Sequence, residues 1–274
     1  MSNLKPEIAR TIKTGTFMTN YHDEGEGFPV LLAHGSGPGV SAWANWRLVI
    51  PKLSKNRRVI APDMLGFGYT ERQEGIPLNM KTWVKQTVDF LDALGIEKTD
   101  IVGNSFGGAL ALAMAIDYPE RIRKVVLMGA MGVSFPITKG LDDVWGYEPS
   151  FERMKEMLLL FVDNKNIATD DLAQMRYEAS IEPGFQESFS AMFPAPRQQW
   201  VEFMARTDEE IANIKQPVLI IHGREDQVIP VSNSYKLFNL IDDAGLHIFG
   251  HCGHWTQIEK TAQFSQLVDN FLAD

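Results

Sequence analysis

The 274-residue chain has one cysteine, Cys252. It can form no internal disulfide, and such scarcity fits a reducing compartment. Long apolar runs are also missing: residues 109–116 make one of the longest, far short of a membrane span. The N-terminal stretch MSNLKPEIARTIK lacks the apolar centre of a signal peptide. Positive charge is in deficit, with 26 Lys and Arg against 35 Asp and Glu, a net charge of -9. That balance disfavours nucleic acid and anionic membrane surfaces as partners, but not a small anion held by one local arginine. There is no G-x-x-x-x-G-K-[ST] or G-x-G-x-x-G phosphate cradle, and no HxxEH-like or CxxC metal spacing. No cofactor and no metal are therefore expected. Internal repeats and low-complexity segments are absent too. What remains is an ordinary globular composition, 45% hydrophobic and 22% charged. It suits one large α/β domain with room for an insertion, in a soluble, cytoplasmic protein.

What the sequence does contain is organised around DIVGNSFGGALALAMAIDY, residues 100–118. A short apolar strand runs into Gly103-Asn104-Ser105-Phe106-Gly107 and then directly into an alanine- and leucine-rich helix. This is G-x-S-x-G between a strand and a helix, the nucleophile elbow. The turn forces Ser105 into a strained backbone region. Gly103 and Gly107 leave room where a Cβ would collide with neighbouring backbone. The hydroxyl then stands over a helix N-terminus whose free N–H groups favour an oxyanion. The plainer alternative is a glycine-rich turn with an incidental serine.

Around this elbow, apolar runs alternate with helical patterns. Two edge strands over residues 9–23 precede buried strands at 29–33, 58–61, 124–128, 217–221 and 246–249. Helices are predicted at 41–53, capped by Ser41, then at 80–94, 231–241 and 256–272. Between about 136 and 208 no buried strand occurs, only amphipathic helical pieces such as 151–161 and 170–180. The fold class is α/β: a mostly parallel eight-stranded sheet covered on both faces, with a helical cap inserted after the sixth strand. The expected division is core 1–135, cap 136–208 and core 209–274. Phe185, Phe189 and Phe193 read as anchors of the cap's own core. Ligands of such sheets bind beyond the carboxyl ends of the strands. Loops at 34–39, 103–108, 222–226 and 250–255 should meet there.

A serine hydroxyl needs a base. Of six histidines, His22, on an early turn, and His247, in a strand, read as structural. His34 and His222, each before a glycine at a strand end, suit backbone bonding. His254 follows the last strand and opens the last helix, the base's place in the order Ser…Asp…His; His251 is the rival. Asp226, in the loop after the 217–221 strand, suits the carboxylate that fixes the imidazole, with Glu225 as its neighbouring alternative. The oxyanion hole then needs two N–H groups, one from Phe106 and one, most simply, from Ser36 in the glycine-flanked loop 34–39.

With those residues in place, the chain resembles an α/β-hydrolase, and more narrowly the meta-cleavage product hydrolases, carbon–carbon bond hydrolases of aromatic catabolism. The likeness to 2-hydroxymuconic semialdehyde hydrolases and their alkyl-ketone relatives runs through HGSGPGVSAWANW (34–46), APDMLGFGYT (61–70), GNSFGG (103–108), GAMGVSFPIT (129–138), FQESFSAMFPAPRQ (185–198), IHGREDQVIP (221–230) and GHCGHWTQIE (250–259). The resemblance implies a 2-hydroxy-6-oxo-2,4-dienoate substrate. Its dienoate end is held by Arg176, with Ser36, Asn45, Asn104 and Trp255 around it. Without the resemblance, Arg176 reads as a surface ion pair with Glu178 or Asp171. The same likeness implies an apolar pocket for the C6 substituent, formed by Met131, Val133, Leu141, Trp145, Val228 and Ile229. Their bulk points to hydrogen, methyl or small alkyl rather than phenyl. It implies enol–keto tautomerisation, then attack at C6 by Ser105 or by water activated through His254. It also implies a homo-oligomer. A generic carboxylesterase would explain the triad but leave Arg176, Asn45 and Trp255 idle. A receptor that keeps the fold with little turnover is the third alternative.

Overall fold

The structure, a computed structural model, describes residues 5–273. The first four residues of the N-terminal stretch and Asp274 lie outside it. The strands are β1 (Arg10–Thr14), β2 (Phe17–Glu24), β3 (Pro29–Ala33), β4 (Arg58–Pro62), β5 (Thr99–Asn104), β6 (Ile122–Met128), β7 (Val218–Gly223) and β8 (Ala244–Phe249). The helices are α1 (Ala42–Trp46), α2 (Ile50–Leu53), α3 (Met80–Ala93), α4 (Phe106–Asp117), α5 (Lys139–Trp145), α6 (Phe151–Phe161), α7 (Asp170–Ser180), α8 (Phe185–Met192), α9 (Gln198–Met204), α10 (Asp208–Ala212), α11 (Ser232–Leu240), α12 (Thr256–Glu259) and α13 (Thr261–Leu272).

The strands form one sheet in the order β1-β2-β4-β3-β5-β6-β7-β8. β2 is antiparallel to β1 and β4; all the other pairs are parallel. The unbroken apolar character of β3 follows from this. Leu31 and Ala33 join the core on one face, Val30 and Leu32 the core on the other. The second face is closed by α1, α2 and α13, where Trp46 and Phe264 stack at 6.3 Å. On the first face lies α4, buried from Phe106 to Ala115, which is why its sequence is apolar all round rather than striped.

Two predicted helices are interrupted. The 41–53 segment begins as expected, with Ser41 capping Ala44 N–H, but α1 ends at Trp46 and the chain restarts at α2. Pro51, at the start of α2, has no N–H to continue the ladder. The 256–272 segment breaks at Lys260, where the Thr261 hydroxyl donates to the carbonyls of Gln257 and Ile258. His22, predicted on a turn, lies instead inside β2 and stacks on Trp43 at 4.9 Å.

Between β6 and β7 the chain runs through α5–α9 without a strand, and α10 then packs on α4 and α11. Ser and Thr side chains cap α5, α6 and α7. Phe185, Phe189 and Phe193 are buried, and Phe193 stacks flat on Trp145 at 4.4 Å. Among the described residues no helix is long and apolar enough to cross a membrane.

The loops that follow β3 and β4 are tied together by buried polar groups. Asp63 accepts from Ala42 N (2.6 Å), Tyr69 N (2.8 Å) and Asn20 Nδ2 (2.8 Å). Burial pushes this carboxyl up to about 6 despite those donors. His34 donates from Nδ1 to Gly35 O and accepts Met64 N–H at Nε2. Burial pulls its imidazole down to about 4. His34 is thus a neutral brace for the loop that opens the site.

Candidate active site

Ser105 sits at the carboxyl end of β5 with φ 55 and ψ -112, in the positive-φ region that non-glycine residues rarely occupy. Its neighbours hold it there. Ser105 N–H donates to Met128 O (2.9 Å), and Ser105 O accepts from Gly108 N and Met131 N. A Cβ on Gly103 would fall on the Gly107 carbonyl, and one on Gly107 would fall on the Ala33 carbonyl. The elbow therefore needs both glycines for close approach, as the motif predicts.

His254 and Asp226 come together from the loops after β8 and β7. His254 Nδ1 lies 2.7 Å from Asp226 Oδ2 and donates to it, which leaves Nε2 as the ring's lone pair. Asp226 Oδ1 accepts from Val228 N (2.8 Å) and Ile229 N (2.9 Å). Burial pushes the Asp226 carboxyl up, but His254 and His222 outweigh it and hold the group well below the usual carboxylate range. Both rivals point elsewhere. Glu225 accepts Cys252 N–H and bonds Arg224, bracing the loop. The His251 side chain is 87% exposed, 3.9 Å from Asp163. Ser105 and His254 line one cavity; among the described residues the serine hydroxyl makes no hydrogen bond, to His254 or to any other group.

Ser36 and Asn45 line the same cavity as Ser105. Neither Ser36 N–H nor Phe106 N–H donates to a protein acceptor among the described residues. The Ser36 hydroxyl accepts from Trp145 Nε1 at 3.1 Å, so a helix of the cap fixes the loop beneath it. Asn45 Oδ1 accepts from Gly35 N (3.3 Å) and from Asn104 Nδ2 (2.8 Å). The Gly35 N–H can only donate, and this sets both amides. Asn45 Nδ2 is left as a free donor and Asn104 Oδ1 as a free acceptor, both buried without a partner among the described residues.

Arg176, on α7, reaches the same cavity. Its one hydrogen bond among the described residues is from Nη2 to Pro38 O at 3.2 Å. Among the described residues no carboxylate lies within ion-pair distance. Glu178, one of the two surface partners considered from sequence, instead accepts from Gln174. Burial pulls the guanidinium down to about 10, so it stays charged at neutral pH. The cavity holds about 480 Å³, within the usual range for a small-molecule site. Trp255 lines it too, its ring stacked on Phe161 at 4.8 Å and 14°.

The apolar wall departs from expectation. Leu141 and Val228 line the cavity, but Met131, Val133, Trp145 and Ile229 do not. Met131 and Val133 are wholly buried in the main core. Trp145 is held against Ser36 and Phe193, and Ile229 turns its carbonyl to His222. Val144, Met154, Met157, Leu158, Phe161 and Leu172, all on helices of the cap, take their place in the wall. Helical periodicity buries these residues but does not say against what, so the sequence carried no separate signal for them.

Glu259 was also missed. Its Oε1 accepts Gly253 N–H (2.6 Å); its Oε2 accepts Asp163 N–H (2.9 Å) and Asn164 N–H (2.8 Å). With the Trp255 N–H to Phe161 O bond (2.9 Å), it fastens the end of α6 to the loop that carries His254. Glu259→Ala strands three N–H donors and is expected to cost roughly 2–3 kcal/mol. Chemical denaturation measures this; a loss below about 0.5 kcal/mol would show that water replaces the carboxylate.

Residues 29–261 match the family model for the alpha/beta hydrolase fold. The chain is 58% identical over 269 residues to the 2-hydroxymuconate semialdehyde hydrolase of Pseudomonas sp. (strain CF600), covering 98% of this chain and 95% of that one. It is 54% identical over 273 residues to the 2-hydroxy-6-oxo-2,4-heptadienoate hydrolase of Pseudomonas putida (strain F1), covering 100% and 99%. The solved structure of the meta-cleavage product hydrolase CumD from Pseudomonas fluorescens IP01, a serine-to-alanine mutant complexed with acetates, superposes with a TM-score of 0.97 at 57% identity, over 97% of this chain and 98% of that one. The chain belongs to the alpha/beta hydrolase fold family and, within it, to the meta-cleavage product hydrolases.

Proposed function

We propose that this protein hydrolyses the C5–C6 bond of 2-hydroxy-6-oxo-2,4-dienoates bearing hydrogen, methyl or a small alkyl group at C6. The products are 2-hydroxypenta-2,4-dienoate and a short carboxylic acid. One observation carries the reading: a guanidinium with no carboxylate within ion-pair distance among the described residues, and only the more distant charge of Glu7 near it, in the wall of a mostly apolar cavity that also holds Ser105 and His254. Leaving such a charge without a direct ion pair is costly, and a planar substrate carboxylate supplies that partner. A simple ester would leave the arginine idle.

The polar end of the cavity suits the rest of a dienol head group. Asn45 Nδ2 offers a donor to a carboxylate or 2-oxo oxygen, and Asn104 Oδ1 an acceptor for the 2-hydroxyl. His254, beside Trp255, carries a proton to C5 as the enol becomes the ketone. That change lets the C5–C6 electron pair flow into the new dienol when the bond breaks. Ser105, or a water activated by the Ser105–His254 pair, adds to the C6 carbonyl. The resulting oxyanion rests against the Ser36 and Phe106 N–H groups. Leu141, Val144 and Val228 close the apolar side, with Trp145 immobilised behind them by its bond to Ser36. We take residues 136–208 as the cap that supplies Arg176 and most of this wall.

The test is a substrate series. Ring-fission products with hydrogen, methyl, ethyl, isopropyl and phenyl at C6 are compared with a nitrophenyl ester by kcat/KM. The small-substituent dienoates are expected to lead the phenyl compound by about 10²-fold or more, near the upper limit for discrimination by an apolar pocket alone. An ester turned over faster than every dienoate would refute the reading.

A further inference from the structure

The back of the triad carboxylate holds a second imidazole. His222, the fifth residue of β7, is fully buried, and its Nε2 lies 3.1 Å from Asp226 Oδ2, the oxygen that also takes His254 Nδ1–H. The same Nε2 lies 3.0 Å from Ile229 O, so it faces two acceptors and carries the hydrogen. Nδ1 lies 2.6 Å from the Ser234 hydroxyl on α11. That hydroxyl has no other acceptor among the described residues, so it donates to Nδ1 and fixes the tautomer.

We infer that His222 is a positioning residue for the hydrolysis, acting through Asp226: it shares Oδ2 with His254 and so limits how much of the carboxylate's negative charge the His254 Nδ1–H receives. This rests on the Ser105–His254–Asp226 reading above. The two oxygens of Asp226 have different duties. Oδ1 is anchored by the Val228 and Ile229 N–H groups, which hold the carboxylate whether or not His222 is present. Oδ2 is divided between two ring N–H donors, and each takes part of its negative charge. Removing the donor at His222 concentrates that charge on His254 Nδ1–H, and the base then binds its proton more tightly. The titratable groups around Asp226 are His222 on β7, with His254 and Cys252 on the loop after β8. Burial pushes the Cys252 thiol up to about 12, so it stays neutral at working pH.

Two substitutions separate the halves of the ring. His222→Gln keeps a donor near the Nε2 position and gives up the acceptor for Ser234. His222→Asn keeps an acceptor near Nδ1 and gives up the donor to Asp226. Both lose packing, so both are expected to melt earlier. Only the Asn variant is expected to move the acidic limb of the kcat/KM–pH profile, upward by about one pH unit. The Gln variant should keep the limb within about a third of that. Ser234→Ala, which removes the hydroxyl that orients the ring through Nδ1, should move the limb the same way by less, and serves if the Asn variant does not fold. A limb unmoved in the folded Asn and Ala variants, or moved equally in Gln and Asn, overturns the assignment. Asp226→Asn is measured alongside, with an expected loss near 10⁴-fold. Retention of activity there would overturn the triad reading itself and the role of His222 with it.

Discussion

Ser105→Ala is expected to yield a folded protein that binds a C6-methyl dienoate, keeps it coloured, and turns it over at least about 10³-fold more slowly than the parent. The change removes one oxygen and nothing that holds the elbow. The Ser105 backbone still donates to Met128 O and still accepts from Gly108 and Met131. Alanine keeps the Cβ at φ 55, so the local strain remains and stability should change by less than about 1 kcal/mol. The groups proposed to hold the dienoate, Arg176, Asn45 and Asn104, are untouched. Binding should therefore persist while chemistry stops. Rapid mixing of excess variant with substrate, followed at the dienolate absorbance, separates the two. Tautomerisation assigned to His254 should still appear as a fast spectral change, and bond cleavage should not follow. Full turnover by the variant would remove the serine from the chemistry, whatever the elbow looks like.

The parts of this site that could be read from the sequence are those whose backbone demands specific residues. Gly103 and Gly107 are legible because a Cβ at either would strike a carbonyl. Asp226 and His254 are legible because they sit on loops leaving the carboxyl ends of β7 and β8, where the parallel sheet delivers its ligand-facing groups. Side-chain pairings across layers are another matter. Whether Arg176 met Glu178 or the cavity depended on the rotation of α7 about its own axis, which only packing decides. Trp145 was expected in the substrate wall, but its indole N–H had to find an acceptor once buried and found Ser36. Met131 lies three residues past the end of β6, yet its side chain is in the core. The bond of His222 to Asp226 has the same character. A histidine before a glycine at a strand end announces a brace, but not that the brace is the carboxylate of the triad. Breaks in helices at Pro51 and Lys260 show the same division: the proline is written in the sequence, whereas the second break depends on a threonine hydroxyl competing for two carbonyls.

Arg176→Ala carries the second large expected effect, a fall of roughly 10²–10³-fold in kcat/KM for dienoates, corresponding to the 2–5 kcal/mol typical of breaking a buried charge pair. Without substrate the guanidinium has one backbone acceptor and, among the described residues, no carboxylate within ion-pair distance, only the more distant charge of Glu7 on the same cavity wall, so removing it should not destabilise the fold and is expected to raise the melting temperature slightly. That combination distinguishes a ligand-binding arginine from a structural one, whose loss costs stability first. Much of the kinetic loss should fall on KM, because the carboxylate is charged in the ground state and stays so throughout. Part should fall on kcat, since a substrate no longer anchored at C1 presents C6 to Ser105 less often. Arg176→Lys should recover charge but not the planar pair of donors, and is expected to lie between the two. A neutral nitrophenyl ester supplies the control. Its slow hydrolysis should be nearly the same in parent and alanine variant, because it has no carboxylate for residue 176 to hold. Equal losses on dienoate and ester would mean that the substitution had disturbed the triad through the cap, and the arginine would lose its place as the anion-binding group.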